Sequence, residues 1–149
     1  MNNIYGFCQG ETVVLEEVSD PVFKEKMLGQ GIAILPNKKS EFVTAPFDCQ
    51  ITMVAVTNHA VGLTIADGTE FLIHIGVDTV EMKGEGFTPF VKVGDNVKKG
   101  DKLMQVDWDL IDQHDYDKTV MFVNCDYTIA EFEICVSDDV NSDTVVLKY

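Results

Sequence analysis

The stretch Thr57–Val80, TNHAVGLTIADGTEFLIHIGVDTV, decides the fold. Asp67-Gly68 at its centre is a two-residue hairpin signal, because a type I′ turn needs positive φ at both central positions. The flanks His59–Ala66 and Thr69–Gly76 are rich in β-branched, aliphatic and aromatic residues, which predicts two antiparallel strands. Closing the turn on Ala66 and Thr69 sets His74 opposite Val61, two residues along from His59. Side chains alternate faces along a strand, so the two histidines become diagonal neighbours on one face, roughly 7–8 Å apart at the backbone. A one-residue slip would send them to opposite faces.

Outward from this hairpin, short extended segments recur. Gly10–Val18 reads as a first strand, and Asp20-Pro21 opens a short helical turn over Val22–Leu28, with Asp20 as N-cap. Gly31–Leu35, Glu41–Ala45 and Gln50–Val56 are extended. Beyond the hairpin, Glu81–Gly86 is a glycine-punctuated loop and Phe87–Val91 a strand. Val93–Leu103 carries two Gly-Asp turns, and Trp108–Ile111 makes one or two helical turns. Thr119–Val123, Thr128–Ile134 and Thr144–Leu147 supply three more strands. Turn signals every eight to twelve residues predict an all-β fold: an antiparallel β-sandwich or barrel-like sheet pair with one or two short helical turns. At 149 residues the chain is expected to form a single domain, 1–149.

Composition excludes several functions. Formal charge is −14, and all eleven basic residues are lysine. Such a surface repels nucleic acid and anionic membrane but attracts a basic partner protein. Without arginine, any guanidinium that grips a phosphoryl group must come from that partner. No apolar run reaches a membrane span and the N-terminus lacks a signal-peptide core, so a cytoplasmic chain without direct membrane insertion is expected. Cys8, Cys49, Cys125 and Cys135 show no CxxC pair and read as free, mostly buried thiols of a reducing compartment.

Histidine occurs three times: His59, His74 and His114. A lone histidine in an apolar strand is commonly a satisfied core residue, but two on one face leave three readings. A phosphohistidine relay would use one neutral ring as nucleophile and the other as donor to phosphoryl oxygens. A zinc site would take both rings, with Asp78 as a third ligand, although no HExxH string accompanies it. The third reading is a purely structural pair.

The region from Thr57-Asn58-His59-Ala60 through Asp67-Gly68 to the run Ile73–Phe87 (IHIGVDTVEMKGEGF) resembles the signature of the glucose-type enzyme IIA family. That family belongs to the bacterial phosphoenolpyruvate-dependent sugar phosphotransferase system. The resemblance extends to Asp20…Phe23-Lys24-Glu25-Lys26, Gly29–Ile34, Ala45-Pro46 and VKVGDNVKKGD. It implies that His74 accepts a phosphoryl group from the phosphocarrier HPr and passes it to a cysteine of the enzyme IIB domain of a glucose-class permease. His59 would support the phosphoryl oxygens, Thr57 would orient His59, and the Gly76 carbonyl would hold one nitrogen of His74. Asp20 and Asp78 match acidic rim positions. Phe23, Met27, Leu28 and Val80 match an apolar apron where partners dock. No cofactor is required, and zinc on His59 and His74 is an optional ligand. Cys49 departs from the glycine usual in relatives, and the amphipathic N-terminal tail of some relatives is not expected. The cadence shared by Val43–Ile51 and Val93–Leu103 resembles lipoyl- and biotinyl-type carriers, but no hairpin-tip lysine of the required kind is evident. That carrier class and a zinc hydrolase are the alternatives.

Overall fold

Alternating apolar residues build the sheets, and in the computed structural model, which describes residues 2–149, they form thirteen short strands. In chain order these are β1 (Asn3–Tyr5), β2 (Gly10–Val13), β3 (Gly31–Pro36), β4 (Phe42–Thr44) and β5 (Cys49–Val54). Next come β6 (Ala60–Thr64), β7 (Glu70–Ile75), β8 (Phe87–Pro89) and β9 (Asn96–Val97). The last are β10 (Lys102–Val106), β11 (Val120–Val123), β12 (Glu133–Ile134) and β13 (Val145–Lys148). Two short helices, α1 (Pro21–Lys24) and α2 (Trp108–Gln113), are capped by the carboxylates of Asp20 and Asp107.

A seven-stranded sheet runs β2-β3-β11-β7-β6-β5-β9, and two three-stranded sheets run β1-β13-β12 and β4-β10-β8. The pairings are antiparallel. The all-β, sandwich-like architecture with short helical turns matches the sequence expectation. Among the described residues no helix is long and apolar enough to cross a membrane. All four cysteines are free.

Period-two alternation assigns the two faces of the large sheet. Ile32, Ile34, Val61, Leu63, Phe71, Ile73, Ile75, Val120 and Phe122 point inward, packing against Ile4, Val43, Leu103 and Leu147 of the smaller sheets. The intervening residues Ala33, Met121, Val123 and Leu72 form the outer face, where Leu15, Val18 and Phe23 cover them. The segment from Leu15 to Leu28 is therefore a strap over the outer face. His74 lies on that face, paired with Met121 of β11.

Several element boundaries differ from the sequence reading. Gly10–Val18 is not one strand: β2 ends at Val13, and Leu15–Glu17 forms a 3-10 turn that drops Leu15 onto the sheet. The helix stops at Lys24 rather than Leu28, with Lys26 at φ +59°. Thr79–Met82 is a 3-10 turn where Glu81–Gly86 was expected to be loop throughout. Only Glu133–Ile134 of the Thr128–Ile134 segment is strand. Upstream of it, the Asn124 and Asp126 side chains take the backbone N–H groups of Ile129 and Thr128 that a ladder would use.

The central hairpin also differs, by one residue. Asp67 does not adopt positive φ, so the turn is not type I′; Gly68 alone does, at +91°. Gly68 N–H donates to the Ile65 carbonyl (2.9 Å) and Ile65 N–H to the Thr69 carbonyl (3.1 Å). The loop is thus three residues, Ala66-Asp67-Gly68, with glycine in the left-handed position. His74 consequently pairs with Ala60, and Val61 pairs with Ile73.

Candidate functional site

The shifted register should have separated the two histidines, yet their ring centroids are 5.1 Å apart and near perpendicular, at 79°. The reason is that β6 begins at Ala60, so His59 precedes the regular pleat. Asn58 turns the chain with φ +63°. The Asn58 N–H donates to the Ala55 carbonyl (2.8 Å), and Ile75 N–H to the His59 carbonyl (2.7 Å). Strand alternation no longer dictates where His59 points, and its ring lies beside His74 at the sheet's end.

Each ring is anchored at Nδ1. The His74 Nδ1 lies 2.8 Å from the Gly76 carbonyl oxygen. A carbonyl only accepts, so Nδ1 carries the proton and neutral His74 has its lone pair on Nε2. The His59 Nδ1 lies 2.7 Å from the Thr57 hydroxyl. With Thr57 donating, Nδ1 accepts and Nε2–H of His59 becomes a free donor. Burial pushes the His59 pKa down. Burial also lowers that of His74, as does the neighbouring His59 charge, against opposing contributions from the Gly76 carbonyl and Asp20. Both rings are therefore neutral at pH 7.

The Phe23 ring stacks obliquely on His74 with centroids 5.1 Å apart and is itself only 2% exposed. Phe23 is thus a wall of the site rather than part of an open apron. Of the other expected apron residues, Met27 and Val80 are exposed, at 61% and 47%, while Leu28 is partly buried against the cluster of Leu15, Val18, Phe23, Ala33 and Met121. The Tyr127 hydroxyl donates to the Met27 carbonyl and ties that turn to the loop after β11. Asp20 caps α1 through Val22 N–H (2.9 Å) beside His74. Asp78 is exposed, at φ +63°, next to the Gly76 turn. Asp78 does not complete a metal shell: among the described residues no three His, Cys, Asp or Glu side chains converge on one point. His114 and Trp108 lie on or beside α2.

The sequence reading missed Ser19, Asp117, Thr119 and Thr79, which support the loop carrying Gly76. Thr79 is buried and donates to the Ile75 carbonyl (2.5 Å). Asp117 and Thr119 accept from Val77 N–H (2.8 Å) and Gly76 N–H (2.9 Å) through their carbonyls.

A nucleophilic imidazole nitrogen beside a second imidazole donor, rimmed by exposed apolar and acidic groups, suits transfer of an anionic group between proteins. Comparison with known proteins points the same way. The chain is 49% identical over 111 residues, 74% of its length, to the PTS system glucose-specific EIICBA component of Staphylococcus carnosus. It is 37% identical over 146 residues, 98% of its length, to the protein of the same name from Staphylococcus saprophyticus. It spans only 16% and 21% of those relatives. The solved structure of glucose permease IIA from Mycoplasma capricolum superposes with a TM-score of 0.86 at 34% identity, covering 98% of this chain and 94% of that one. The family model described as phosphoenolpyruvate-dependent sugar phosphotransferase system, EIIA 1, matches residues 2–128, and the chain belongs to that family.

Proposed function

We propose that the chain is a phosphoryl carrier of a glucose-class uptake relay, with His74 Nε2 as the acceptor atom. The observation that carries this reading is the pairing of His74 Nδ1 with the Gly76 carbonyl, which leaves the lone pair on Nε2 of a partly exposed residue. In the first step Nε2 attacks the phosphorus held by a histidine of HPr. The new N–P bond forms as the donor's N–P bond breaks, and the donor leaves as a neutral imidazole. The phosphorylated His74 ring carries positive charge, which the Gly76 carbonyl stabilises through Nδ1–H. In the second step a cysteine thiolate of enzyme IIB attacks phosphorus, forming an S–P bond and returning neutral His74.

Phosphoryl transfer of this kind passes through a loose transition state, so catalysis rests on positioning and on hydrogen bonds to the equatorial oxygens. His59 Nε2–H is the donor suited to that task, set by Thr57. Met27 and Val80, with Leu28 beneath, exclude water from the labile N–P bond when a partner docks. Asp20 and Asp78 attract cationic groups of HPr and IIB. No step needs a metal. Zinc on His59 and His74 would have only two of its usual four ligands from this chain, so it would need donors from elsewhere.

Reconstitution with phosphoenolpyruvate, the first enzyme of the relay, HPr and a glucose-class permease tests the two histidine roles separately. His74→Ala should abolish sugar phosphorylation. His59→Gln should still be charged by HPr but pass the group on at least about tenfold more slowly, as for loss of a transition-state donor. Normal sugar phosphorylation by either variant would refute the corresponding role.

A further inference from the structure

The Gly76–Val77 peptide is gripped at both ends of its dipole. Its C=O accepts from His74 Nδ1 at 2.8 Å, and its N–H donates to the Asp117 carbonyl at 2.8 Å. In a trans peptide these two groups point in opposite directions, so fixing one aims the other. Gly76's own N–H donates to the Thr119 carbonyl at 2.9 Å, which leaves the peptide little freedom to rotate.

The segment that does the gripping is held by one carboxylate. Asp117 accepts from Thr119 N–H (2.9 Å), from the Thr119 hydroxyl (2.6 Å) and from the Ser19 hydroxyl (2.7 Å). Partial burial works against its charge, but the hydrogen bonds from Thr119 and Ser19 outweigh it and hold the carboxyl below the usual range. Ser19 precedes Asp20, which caps the helix whose Phe23 lies against His74. The Asp117 carboxylate therefore ties the β11 entry to Ser19 of the strap, while the Asp117 and Thr119 main-chain carbonyls hold the Gly76 turn.

We propose that Asp117 is a positioning residue of the transfer site: it fixes the Gly76–Val77 peptide, which selects the His74 tautomer with Nδ1 protonated and Nε2 free. Asp117 does not touch the reacting atoms. It acts through the peptide, and a carbonyl whose amide is itself hydrogen-bonded is a better acceptor. This role rests on His74 Nε2 being the phosphoryl acceptor, but its effect on the ring exists in the unphosphorylated protein.

The test is nitrogen-15 NMR of the histidine rings in the free protein at a pH where both are neutral. Wild type should show His74 in the Nδ1–H form alone. Asp117→Ala should show a second, Nε2–H form, and the maximal rate of charging by phosphorylated HPr should fall about fivefold to tenfold, the effect of one lost hydrogen bond. Asp117→Asn keeps an oxygen for Thr119 and should restore both readouts. A folded Asp117→Ala variant with wild-type His74 resonances would overturn the proposal, as would an Asparagine variant indistinguishable from it. If Asp117→Ala does not fold, Thr119→Val, which removes only the 2.6 Å donor, is read by the same criteria. Failure of wild type to be charged by HPr would end the carrier reading, while the ring spectra would still decide the role of Asp117.

Discussion

On the carrier reading His74 attacks as a neutral ring with its proton on Nδ1, and three local features bear on that. Its ring is partly buried, a second imidazole stands beside it, and a carbonyl holds Nδ1. Both histidines have folded-state pKa values below the ordinary 6.5. Charging should therefore keep its plateau rate down to pH 6.5 and fall only beneath it, and the NMR titration midpoint of His74 should lie below that of an exposed histidine. A midpoint at or above 6.5 would contradict the burial argument. The stability consequence has a definite sign: a depressed histidine favours the folded state fully above about pH 6.5, and that contribution is lost as pH falls toward the folded value. Denaturant melts from pH 7 to 5 should accordingly fall more steeply for wild type than for a His59→Gln/His74→Gln double variant. At this scale the sequence was informative for His59, His74, Thr57 and Gly76, because they sit in one continuous motif. Asp117 was not legible. The string Asp-x-Thr occurs at 67–69, 117–119 and 126–128, and in each case the carboxylate accepts the backbone N–H two residues on. Such a turn signature does not reveal which copy lies behind the Gly76 carbonyl.

Among the elements, the two turns at either end of β7 divide structural from functional constraint. Gly68 and Gly76 both have positive φ, at +91° and +76°. A Cβ on Gly68 would meet nothing within 4 Å, whereas one on Gly76 would lie 2.4 Å from Thr79 Cγ2 and 3.0 Å from the Asp117 carbonyl. Gly68→Ala should cost about 1–2 kcal/mol in denaturant unfolding, the left-handed penalty alone, with charging by HPr unchanged. Gly76→Ala should cost that and about 1–3 kcal/mol more from overpacking, and should also impair charging by displacing its carbonyl. Equal costs at the two sites would contradict this reading. The hairpin itself was legible from β-branched runs around Asp67-Gly68, but its register was not. Asp-Gly suits both a two-residue turn and the end of a three-residue one, and only the backbone of Asp67 decides between them. The histidine pairing survives the slip because His59 lies outside the pleat, a consequence of the left-handed Asn58.

For the whole molecule, charge is the dominant feature. Against 25 acidic residues stand eleven lysines, and among the described residues three ion pairs form: Lys26–Glu16, Lys99–Asp143 and Lys118–Asp112. Most carboxylates therefore project an unneutralised field that speeds encounter with a basic partner. Raising salt from about 50 to 500 mM shortens the screening length severalfold, and the association rate with HPr should drop by about tenfold or more. A salt-independent rate in stopped flow would exclude steering. The layered β architecture was legible from turn spacing, whereas the strap over the outer face was not, since Leu15, Val18 and Phe23 gain meaning only once Ala33 and Met121 lie beneath them. The most direct test is to incubate the chain with phosphoenolpyruvate, the first enzyme of the relay and HPr, then locate the modification by intact mass and phosphorus–nitrogen NMR. The expected result is one acid-labile phosphoryl group on Nε2 of His74, absent from His74→Ala. A phosphoryl group on His59, on Nδ1 of His74, or on neither ring would contradict it.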